Sequence, residues 1–488
     1  MSNTSVYKER VPSAVKGLDE VLQGGFIKGG LYIVEGAPRT GKTILGNQIC
    51  FNQIRSGKTV LYVTLIAETV ARMLLNLGDM NFFDERAVGT GIFYISGFTA
   101  LKNEGLTGLL HLLRHEVAAR HASIVLLDGF ATAAEFANSP KDLKMFVQQL
   151  QTQADAADST VFLLTNPVES RPSSEETMVD GIISLSSSLQ RSTSLRELHV
   201  RKFRGGSHLE GVHNYKIADD GIIIFPRTET LVRGSATDDG DIQRIASGIP
   251  RLDGMLGGGI PNRSMTMLVG PSGTGKTAVG LQFLSCASKA EPGLFFGFYE
   301  TPARIRSRAR MFPALGRALQ GETVEILWQP PTEWLLDELA DRLLLAVKRR
   351  RVRRLFIDGL AGFKKALRDR EIEPFFAALA EELRGLGVTT ICSAEVVEII
   401  GPTMTTPLAG MSDVTDNHII LRFIEAGAIV HRLISILKVR DGSFDPGLRQ
   451  FSISAEGIQI AEDSHGAELI LSSLGTRARQ VELTVSQK

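Results

Sequence analysis

Two glycine-rich stretches of the same form lie about half a chain apart and decide the fold. The first is Gly36-Ala37-Pro38-Arg39-Thr40-Gly41-Lys42-Thr43. The second is Gly270-Pro271-Ser272-Gly273-Thr274-Gly275-Lys276-Thr277. Both fit G-x-x-x-x-G-K-[ST], a loop whose backbone N–H groups surround phosphate oxygens, while its lysine reaches the outer phosphates and its threonine hydroxyl meets Mg²⁺. Because each loop follows an apolar run and precedes an amphipathic stretch, the sequence predicts two sites for ATP and Mg²⁺ rather than two ligand-free turns.

The two loops belong to a longer internal repeat. Gly270 falls on Gly36 at a shift of 234 residues, and Asp358 falls on Asp128 at a shift of 230. A shift that drifts by a few residues is expected when loops differ in length and cores do not. The chain is therefore predicted to be a tandem duplication. The predicted divisions are an N-terminal ATPase domain at 1–233, a C-terminal ATPase domain at 234–461 and a polar tail at 462–488.

Each half alternates apolar runs with amphipathic, helix-like stretches, which predicts an α/β fold with a mostly parallel sheet covered by helices. In such a sheet, ligands bind at the carboxyl ends of the strands, where both glycine-rich loops are expected. The predicted strands of the first half are 31–34, 60–65, 124–127, 161–165, 182–186 and 196–203. Those of the second half are 265–269, 294–299, 355–357, 389–393, 419–423 and 433–439.

Charge argues against a protein that relies on a global basic field. Lys plus Arg and Asp plus Glu both number 54, so the formal net charge is zero, and a nucleic-acid partner is not expected. The densest basic cluster, at 348–354, is typical of a solvated helix end that leads into a buried strand.

The remaining composition predicts an intracellular setting. Three cysteines, at 50, 286 and 392, lack metal-type spacing and are expected to be reduced core thiols. The first ten residues contain no apolar stretch, and no run of 18 or more apolar residues occurs. We therefore expect neither a secretory signal nor a membrane span, and a cytoplasmic location.

Acidic residues follow several of the predicted strands. Asp128 and Asp358 each end an apolar strand, which is the position that orients Mg²⁺ and its waters in P-loop enzymes. The alternative is a carboxylate that caps the next helix. Glu68 follows the predicted strand 60–65, Glu300 follows the predicted strand 294–299, and both are candidates for the base that polarises the attacking water. Their alternative is a residue in the first turn of a surface helix.

With these residues in place, the doubled chain resembles the KaiC family of RecA/DnaB-type P-loop ATPases over about residues 10–460. The most specific marks lie upstream of each loop and near the end of each half: Gly17-Leu18-Asp19 with Gly24-Gly25, Gly248-Ile249-Pro250-Arg251-Leu252-Asp253 with Gly257-Gly258-Gly259, Lys202-Phe203-Arg204-Gly205, and Lys438-Val439-Arg440. The resemblance implies two RecA-like domains.

The resemblance also implies an assembly. In the family the K-x-R pair reaches the γ-phosphate of the neighbouring subunit, so Lys202, Arg204, Lys438 and Arg440 are expected to act on ATP bound by the adjacent protomer. The implied assembly is a double-ring homohexamer with ATP at subunit interfaces, and with signalling proteins as further partners. A cation inserted in this way stabilises charge on the transferred phosphoryl group. The alternative is an exposed basic strand end.

The chain departs from the family pattern at two parts of the ATP sites. The family usually has two adjacent glutamates after the second strand, whereas this chain has Ala67-Glu68 and Tyr299-Glu300. The first loop carries Arg39 where the second has Gly273. That arginine either adds charge near the phosphates or crowds the loop.

A third departure concerns phosphorylation. In clock members of the family, the second ring phosphorylates an adjacent Ser-Thr pair on itself. Here the serine is kept as Ser412, the candidate phosphoacceptor, and the threonine is replaced by Asp413. Asp413 either imitates a phosphorylated state or solvates a loop in a chain that has lost the modification.

Three functions compete at this point. The first is an ATP-hydrolysing hexamer that acts as a regulatory switch, with a serine/threonine autokinase activity if Ser412 is used. The second is a RecA-like, DNA-dependent ATPase. The third is a scaffold that ATP holds together with almost no turnover. The duplication and the neutral charge favour the first over the second.

Overall fold

The computed structural model describes residues 9–65, 70–167, 176–190, 193–232, 242–330, 334–367, 370–396, 411–426, 429–454, 456–468 and 470. The chain divides into two compact units, with the division between Thr230 and Leu231. Each unit is described below by itself.

The first unit contains eleven of the described strands and seven of the described α-helices. The strands are β1 (Arg10–Val11), β2 (Phe26–Ile27), β3 (Leu31–Gly36), β4 (Val60–Thr64), β5 (Ile92–Ser96), β6 (Ile124–Asp128), β7 (Thr160–Thr165), β8 (Gly181–Gln190), β9 (Thr193–Phe203), β10 (Val212–Ala218) and β11 (Gly221–Phe225). The helices are α1 (Leu18–Val21), α2 (Lys42–Arg55), α3 (Val70–Leu77), α4 (Phe98–Arg120), α5 (Phe130–Glu135), α6 (Pro140–Ala157) and α7 (Thr228–Leu231).

The second unit repeats this series. Its strands are β12 (Arg244–Ile245), β13 (Ile260–Pro261), β14 (Met265–Gly270), β15 (Gly293–Gly297), β16 (Val324–Trp328), β17 (Arg354–Asp358), β18 (Thr389–Glu395), β19 (Asn417–Ala426), β20 (Ile429–Val439), β21 (Arg449–Ser454) and β22 (Gly457–Ile460). Its helices are α8 (Pro250–Met255), α9 (Lys276–Ser285), α10 (Pro302–Arg308), α11 (Pro313–Gln320), α12 (Leu336–Arg350), α13 (Ala361–Ala366), α14 (Ile372–Gly385) and α15 (Met411–Val414).

Each unit is built on its own nine-stranded sheet, and the two sheets have equivalent strand orders. The first has the strand order β11-β10-β9-β8-β3-β7-β6-β4-β5, and the second has β22-β21-β20-β19-β14-β18-β17-β15-β16. The strands from β8 to β5 run parallel, and β9, β10 and β11 extend the sheet in antiparallel fashion. Even an irregularity is shared, because the register shifts between Ile182 and Ile183 and between His418 and Ile419. The repeat predicted from sequence is thus confirmed by topology.

Alternation along the central strands places a core on each face of the sheet. On β3, Tyr32 and Val34 join the core beneath α2. Leu31 and Ile33 join the core beneath α4 and α6. Burial on both faces explains why these strands are continuous apolar runs, since each buried side chain of this size contributes about 1.5–3 kcal/mol. The mostly parallel α/β architecture is confirmed.

Sequence reasoning found the central strands and missed several at the edges. β8, β9, β19 and β20 are longer than predicted, and the strands that were not predicted are β5, β10, β11, β16, β21, β22 and the short pairs β1–β2 and β12–β13. The first residues of the predicted tail pack onto the sheet, since Ala467 and Ile470 are buried against Leu433. The exact domain limits stay a prediction. In the described part of the chain, no helix is both long and apolar enough to cross a membrane.

Candidate functional site

Each glycine-rich loop leaves the central strand of its sheet and leads directly into a helix. The first connects β3 to α2, and the second connects β14 to α9. Glycine is required at the start of the first loop, because a Cβ on Gly36 would lie 2.6 Å from the carbonyl oxygen of Leu185. It is favoured again before each helix, where Gly41 and Gly275 have φ of 95° and 112°. These turns expose the N-terminus of a helix at the carboxyl edge of the sheet, the place where phosphates bind.

Both loop lysines fold back over their own loops. Lys42 Nζ donates to the carbonyl oxygens of Gly36 and Ala37. Lys276 Nζ donates to those of Gly270 and Pro271, each at 2.7 Å. Burial lowers the pKa of both lysines. A half-buried ammonium that donates only to neutral oxygens is well placed to gain energy from an incoming phosphate.

The predicted metal ligands lie beside one another in both units. Thr43 Oγ1 is 3.4 Å from Asp128 Oδ2, and Thr277 Oγ1 is 3.0 Å from Asp358 Oδ2. Burial raises the pKa of both carboxyls. A threonine hydroxyl next to a carboxylate at the loop fits Mg²⁺, which prefers oxygen ligands, retains several waters and is completed by phosphates. Their role as metal ligands stays a prediction.

A second donor holds each of these aspartates, and sequence reasoning missed both donors. The Tyr62 hydroxyl donates to Asp128 Oδ2 at 2.7 Å. In the other unit the Ser393 hydroxyl donates to Asp358 Oδ1 at 2.8 Å. Tyr62 is the one aromatic residue of the buried strand β4, and a buried tyrosine hydroxyl usually needs a partner. This buried tyrosine was the feature of the sequence that could have indicated the hydrogen bond to Asp128.

The residue at the carboxyl end of β7 and of β18 differs between the units, and it was not predicted from the sequence as a site residue. Asn166 follows β7, and its Oδ1 accepts from Lys42 Nζ at 3.3 Å. At the corresponding position β18 ends in Glu395, whose charge acts to raise the pKa of Lys276 against the larger effect of burial. The lysine of the first loop thus donates to a neutral amide, whereas that of the second feels the charge of a carboxylate without a hydrogen bond to it among the described contacts.

Of the two predicted bases, only Glu300 can be placed. Glu68 lies outside the described residues. Glu300 Oε1 is 2.7 Å from a guanidinium nitrogen of Arg308. Its other oxygen is buried and has no hydrogen-bond partner among the described residues. The negative charge of Glu300 also contributes to the raised pKa of Asp358, so the two carboxylates face the same region.

The K-x-R pairs lie at the opposite edge of the sheet from their own loops. Arg204 N donates to the carbonyl of Asp180, and the Asp180 carboxylate accepts from Leu31 N at 2.9 Å, at the start of β3. The loop begins at the other end of that strand, about 16 Å away at roughly 3.3 Å per residue. The second unit repeats the arrangement through Arg440 N, Asp416 and Met265 N.

The K-x-R side chains donate hydrogen bonds to backbone carbonyls just before β8 and β19. Lys202 Nζ donates to the carbonyl of Glu176 at 2.7 Å, and Arg204 donates to that of Thr177 at 2.9 Å. Lys438 Nζ donates to Thr415 O at 2.9 Å. Arg440 donates to Asp413 O at 3.1 Å and to the buried carboxylate of Asp416 at 3.0 Å. Their predicted action on a neighbouring ATP is untested by these contacts.

Ser412 lies within α15, directly before β19. It is therefore at the same edge of the sheet as Lys438 and Arg440, and far from the loop of its own unit. Asp413 beside it is exposed.

Arg39 adopts the backbone conformation that its glycine counterpart adopts. Its φ is 70°, and that of Gly273 is 81°. The Arg39 side chain is exposed, so it extends from the loop instead of crowding it.

Comparison with known proteins places both halves in one family. A family profile described as "ATPase: KaiC" matches residues 11–229 and 245–465. The chain is 24% identical to the circadian clock oscillator protein KaiC of Parathermosynechococcus lividus over 489 residues, covering 95% of this chain and 88% of the relative. It is 24% identical to the protein of that name from Nostoc sp., covering 96% and 92%. With the one from Synechococcus elongatus it shares 24% identity, covering 98% and 93%.

Proposed function

This chain belongs to the KaiC family of ATPases, and from that premise we propose that it is a homohexameric, double-ring switch in the cytoplasm. It is a P-loop ATPase with one ATP-binding domain in each half. In the proposed assembly, ATP lies at subunit interfaces, and the bound nucleotide sets the state that signalling partners read.

The position of the K-x-R pairs carries this proposal. Arg204 and Arg440 lie at the edge of the sheet opposite the loop of their own unit. They cannot reach the ATP of that unit without dismantling the sheet between them. If these cations act on ATP, the ATP belongs to an adjacent protomer, and a closed ring lets every protomer give and receive such a pair.

The site residues then divide the chemistry as follows. Lys42 and Lys276 hold the β- and γ-phosphates at the helix N-terminus of each loop. Thr43 with Asp128, and Thr277 with Asp358, would hold Mg²⁺, which would supply positive charge to offset that of the phosphates. Glu68 and Glu300 orient the attacking water. The K-x-R cations of the neighbour stabilise charge on the transferred group.

We extend the proposal to Ser412 as a phosphoacceptor. Because Ser412 lies at the same sheet edge as Arg440, it would face the neighbour's ATP and not its own. Asp413 carries a permanent charge next to it, smaller than the roughly −1.5 to −2 of a phosphate. One interpretation is that Asp413 imitates one phosphorylated state; the other is that its charge disfavours a phosphate next door.

Assembly tests the proposal first. Six chains of 53.1 kDa give about 319 kDa, a mass that light scattering after gel filtration in Mg-ATP resolves from monomer. We expect Lys42→Ala with Lys276→Ala to lose both nucleotide and hexamer. Lys141→Ala, which removes an exposed lysine of α6, is the matched control. A double variant that still carries ATP through the column would overturn the assignment.

Mixing tests the action in trans. A Lys276→Ala variant and an Arg440→Ala variant should each lose activity in the second unit. Co-assembled rings contain some interfaces with both residues intact, so the mixture should regain part of the phosphate release. No difference among the two variants, their mixture and the wild type would make the K-x-R residues surface charges.

Turnover and mass spectrometry on one sample separate the alternatives. Incubation with Mg-ATP should release phosphate; a stable hexamer without release would instead be a scaffold. Phosphate on Ser412 that disappears in Lys276→Ala supports autophosphorylation, whereas an unmodified Ser412 under turnover conditions leaves an ATPase switch. Salt-dependent binding of single-stranded DNA that stimulates turnover would favour a DNA-dependent ATPase.

A further inference from the structure

A groove of about 1000 Å³ runs between α4 and α6 of the first unit. Its floor includes Val125 at the start of β6 and Val161 at the start of β7. The glycine-rich loop leaves the opposite end of the same sheet, after Gly36. The groove is therefore separate from the predicted nucleotide site.

The floor of the groove is apolar and is lined partly by alanine. Leu113, Leu150, Ala122 and Ala154 are all buried and line it. The alanines of this floor lie between two long helices and leave space that larger side chains would fill.

The second unit fills the same space with larger side chains. Helices α4 and α12 both end at a left-handed residue, His121 and Arg351, which aligns Ala122 with Val352. The matching burial patterns of α6 and α14 align Ala154 with Leu383. Leu383 is only 1% exposed. The same fold can thus close this space, and the first unit keeps it open.

The rim of the groove is positively charged. Lys58 and Arg114 are exposed at the rim, and neither forms an ion pair within the described part of the chain. Lys28 also lines the groove, and its Nζ lies 2.6 Å from Asp158, the one lining carboxylate. Lys28 also pairs with Glu9 at 2.9 Å, so one cation is shared by two carboxylates, and Lys58 and Arg114 give the rim its net positive charge.

The wall also holds a hydrogen-bond donor without an acceptor. Gln153 lines the groove, and its Nε2 is buried with no hydrogen-bond partner among the described residues. A buried amide nitrogen without a partner costs free energy that a ligand oxygen would recover.

We propose that this groove binds an amphipathic organic anion, with a carboxylate or phosphate head and an apolar body, free in solution. The volume lies at the upper end of the usual range for ligand sites. The guanidinium of Arg114 matches the paired oxygens of either head group. The apolar body lies along the floor of leucine and alanine, and an oxygen of the head accepts from Gln153.

Calorimetric titration of the full chain with dodecanoate and with dodecyl phosphate tests this proposal. Saturating Mg-ATP occupies the two nucleotide sites, and both ligands stay below micelle concentration. We expect saturable binding of each anion at one site per chain, and weaker binding of dodecanol. Absence of saturable anion binding, or equal binding of dodecanol, would overturn the proposal.

Variants taken from the second unit locate the site. Ala154→Leu introduces the side chain found at the corresponding position of the second unit and should abolish binding. Arg114→Leu likewise copies Leu344 and should weaken binding by about tenfold or more, as for a lost charge-assisted hydrogen bond. Lys102→Leu, which removes an exposed cation of α4 outside the groove, should bind like the wild type.

Anion binding is compared only among variants that fold. Circular dichroism and ATP content check each variant, and Ala157→Leu, at the exposed rim, replaces Ala154→Leu if the latter fails to fold. Undiminished binding in both Arg114→Leu and a folded groove-filling variant would place the ligand elsewhere and overturn the proposal.

Discussion

The two halves of the chain build the same sheet around different charges. In the first, buried Glu35 at the end of β3 accepts from Arg201 at 2.7 Å and from the hydroxyl of Ser184. Arg201 also reaches Glu176 at 3.1 Å, in the turn that Lys202 grips. A chain of charged groups therefore connects the glycine-rich loop to the opposite edge of the sheet.

In the second half, the corresponding positions are apolar. Val269 replaces Glu35 and is buried, Ile420 replaces Ser184, and Leu437 replaces Arg201 with 66% of its surface exposed. The strand order and the register shift are nevertheless the same. The sheet therefore does not need these charges, and they are an addition specific to the first half.

The largest effect is expected at the two glutamates. Glu68→Gln and Glu300→Gln should each slow ATP hydrolysis in their own half, because loss of a positioned base typically costs a factor of about 10²–10⁴. The single variants then show how much each half contributes, and the double variant should bind ATP while losing most turnover.

Phosphate release and nucleotide content measure these two effects separately. Glu104→Gln, which changes an exposed carboxylate of α4, is the control. Unchanged release from the double variant would remove Glu68 and Glu300 from the chemistry.

The second-largest effect is expected when the pH is lowered, because acid should destabilise the first half more than the second. His213 is fully buried, lies 3.1 Å from the carbonyl of Leu209 through Nε2 and accepts from Arg227 N through Nδ1. Burial lowers the pKa of His213 to about 4. At the corresponding position the second half has Arg449, a permanent cation 2.6 Å from Asp445.

Folding favours the neutral form of His213, so protonation of this histidine destabilises the folded first half. An unfolded histidine takes up its proton near pH 6.5, whereas folded His213 does so only near pH 4. The first half should therefore lose stability as the pH falls between these values, by up to about 3 kcal/mol. Calorimetry from pH 7 to 4.5 should show this, and His213→Gln should remove the trend while the exposed control His199→Gln keeps it. An identical pH trend in His213→Gln and His199→Gln would contradict the assignment.

Removal of one charge from the first half should have a smaller effect. Arg201→Leu leaves the buried Glu35 carboxylate with Ser184 alone and should lower the free energy of unfolding of the first unit by about 1–3 kcal/mol. Glu35→Val with Arg201→Leu copies the second half and should recover much of this loss. Urea unfolding of the two single variants and the double variant measures the coupling. Strictly additive losses would mean that the two charges do not interact.

Much of this fold could be predicted from the sequence because its central strands and loops follow local residue patterns. A loop of fixed glycine and lysine spacing, followed by apolar runs that end in Asp128 and Asp358, predicted the central strands. The edge strands β10 and β21 were missed because they are short and rich in polar residues, with the sequences VHNYKIA and RQFSIS. Their place in the sheet depends on partners that lie far away in sequence.

The candidate site divides in the same way. Motif spacing predicted the lysines and aspartates, since their neighbours in sequence define the turn. Tyr62, Ser393 and Asn166 approach the site only through strand pairing. No sequence spacing relates them to the loop, so only the structure brings them there.

The smallest effect should come from one position in the two loops. Arg39 and Gly273 have the same left-handed backbone, at φ of 70° and 81°. A residue with a Cβ is strained in this conformation by about 1–2 kcal/mol, and glycine offsets part of the gain by its greater freedom in the unfolded chain. Arg39→Gly should therefore stabilise the first unit by about 1 kcal/mol or less. Gly273→Arg should destabilise the second unit by a similar amount, because the nearest atom to the new Cβ, on Phe423, is 3.9 Å away and no clash adds to the cost. Thermal unfolding without nucleotide measures both shifts, with Gly57→Arg, at an open position of similar φ, as the control for glycine replacement outside the loops. Shifts of the same sign in Arg39→Gly and Gly273→Arg would show that backbone strain does not distinguish the two loops.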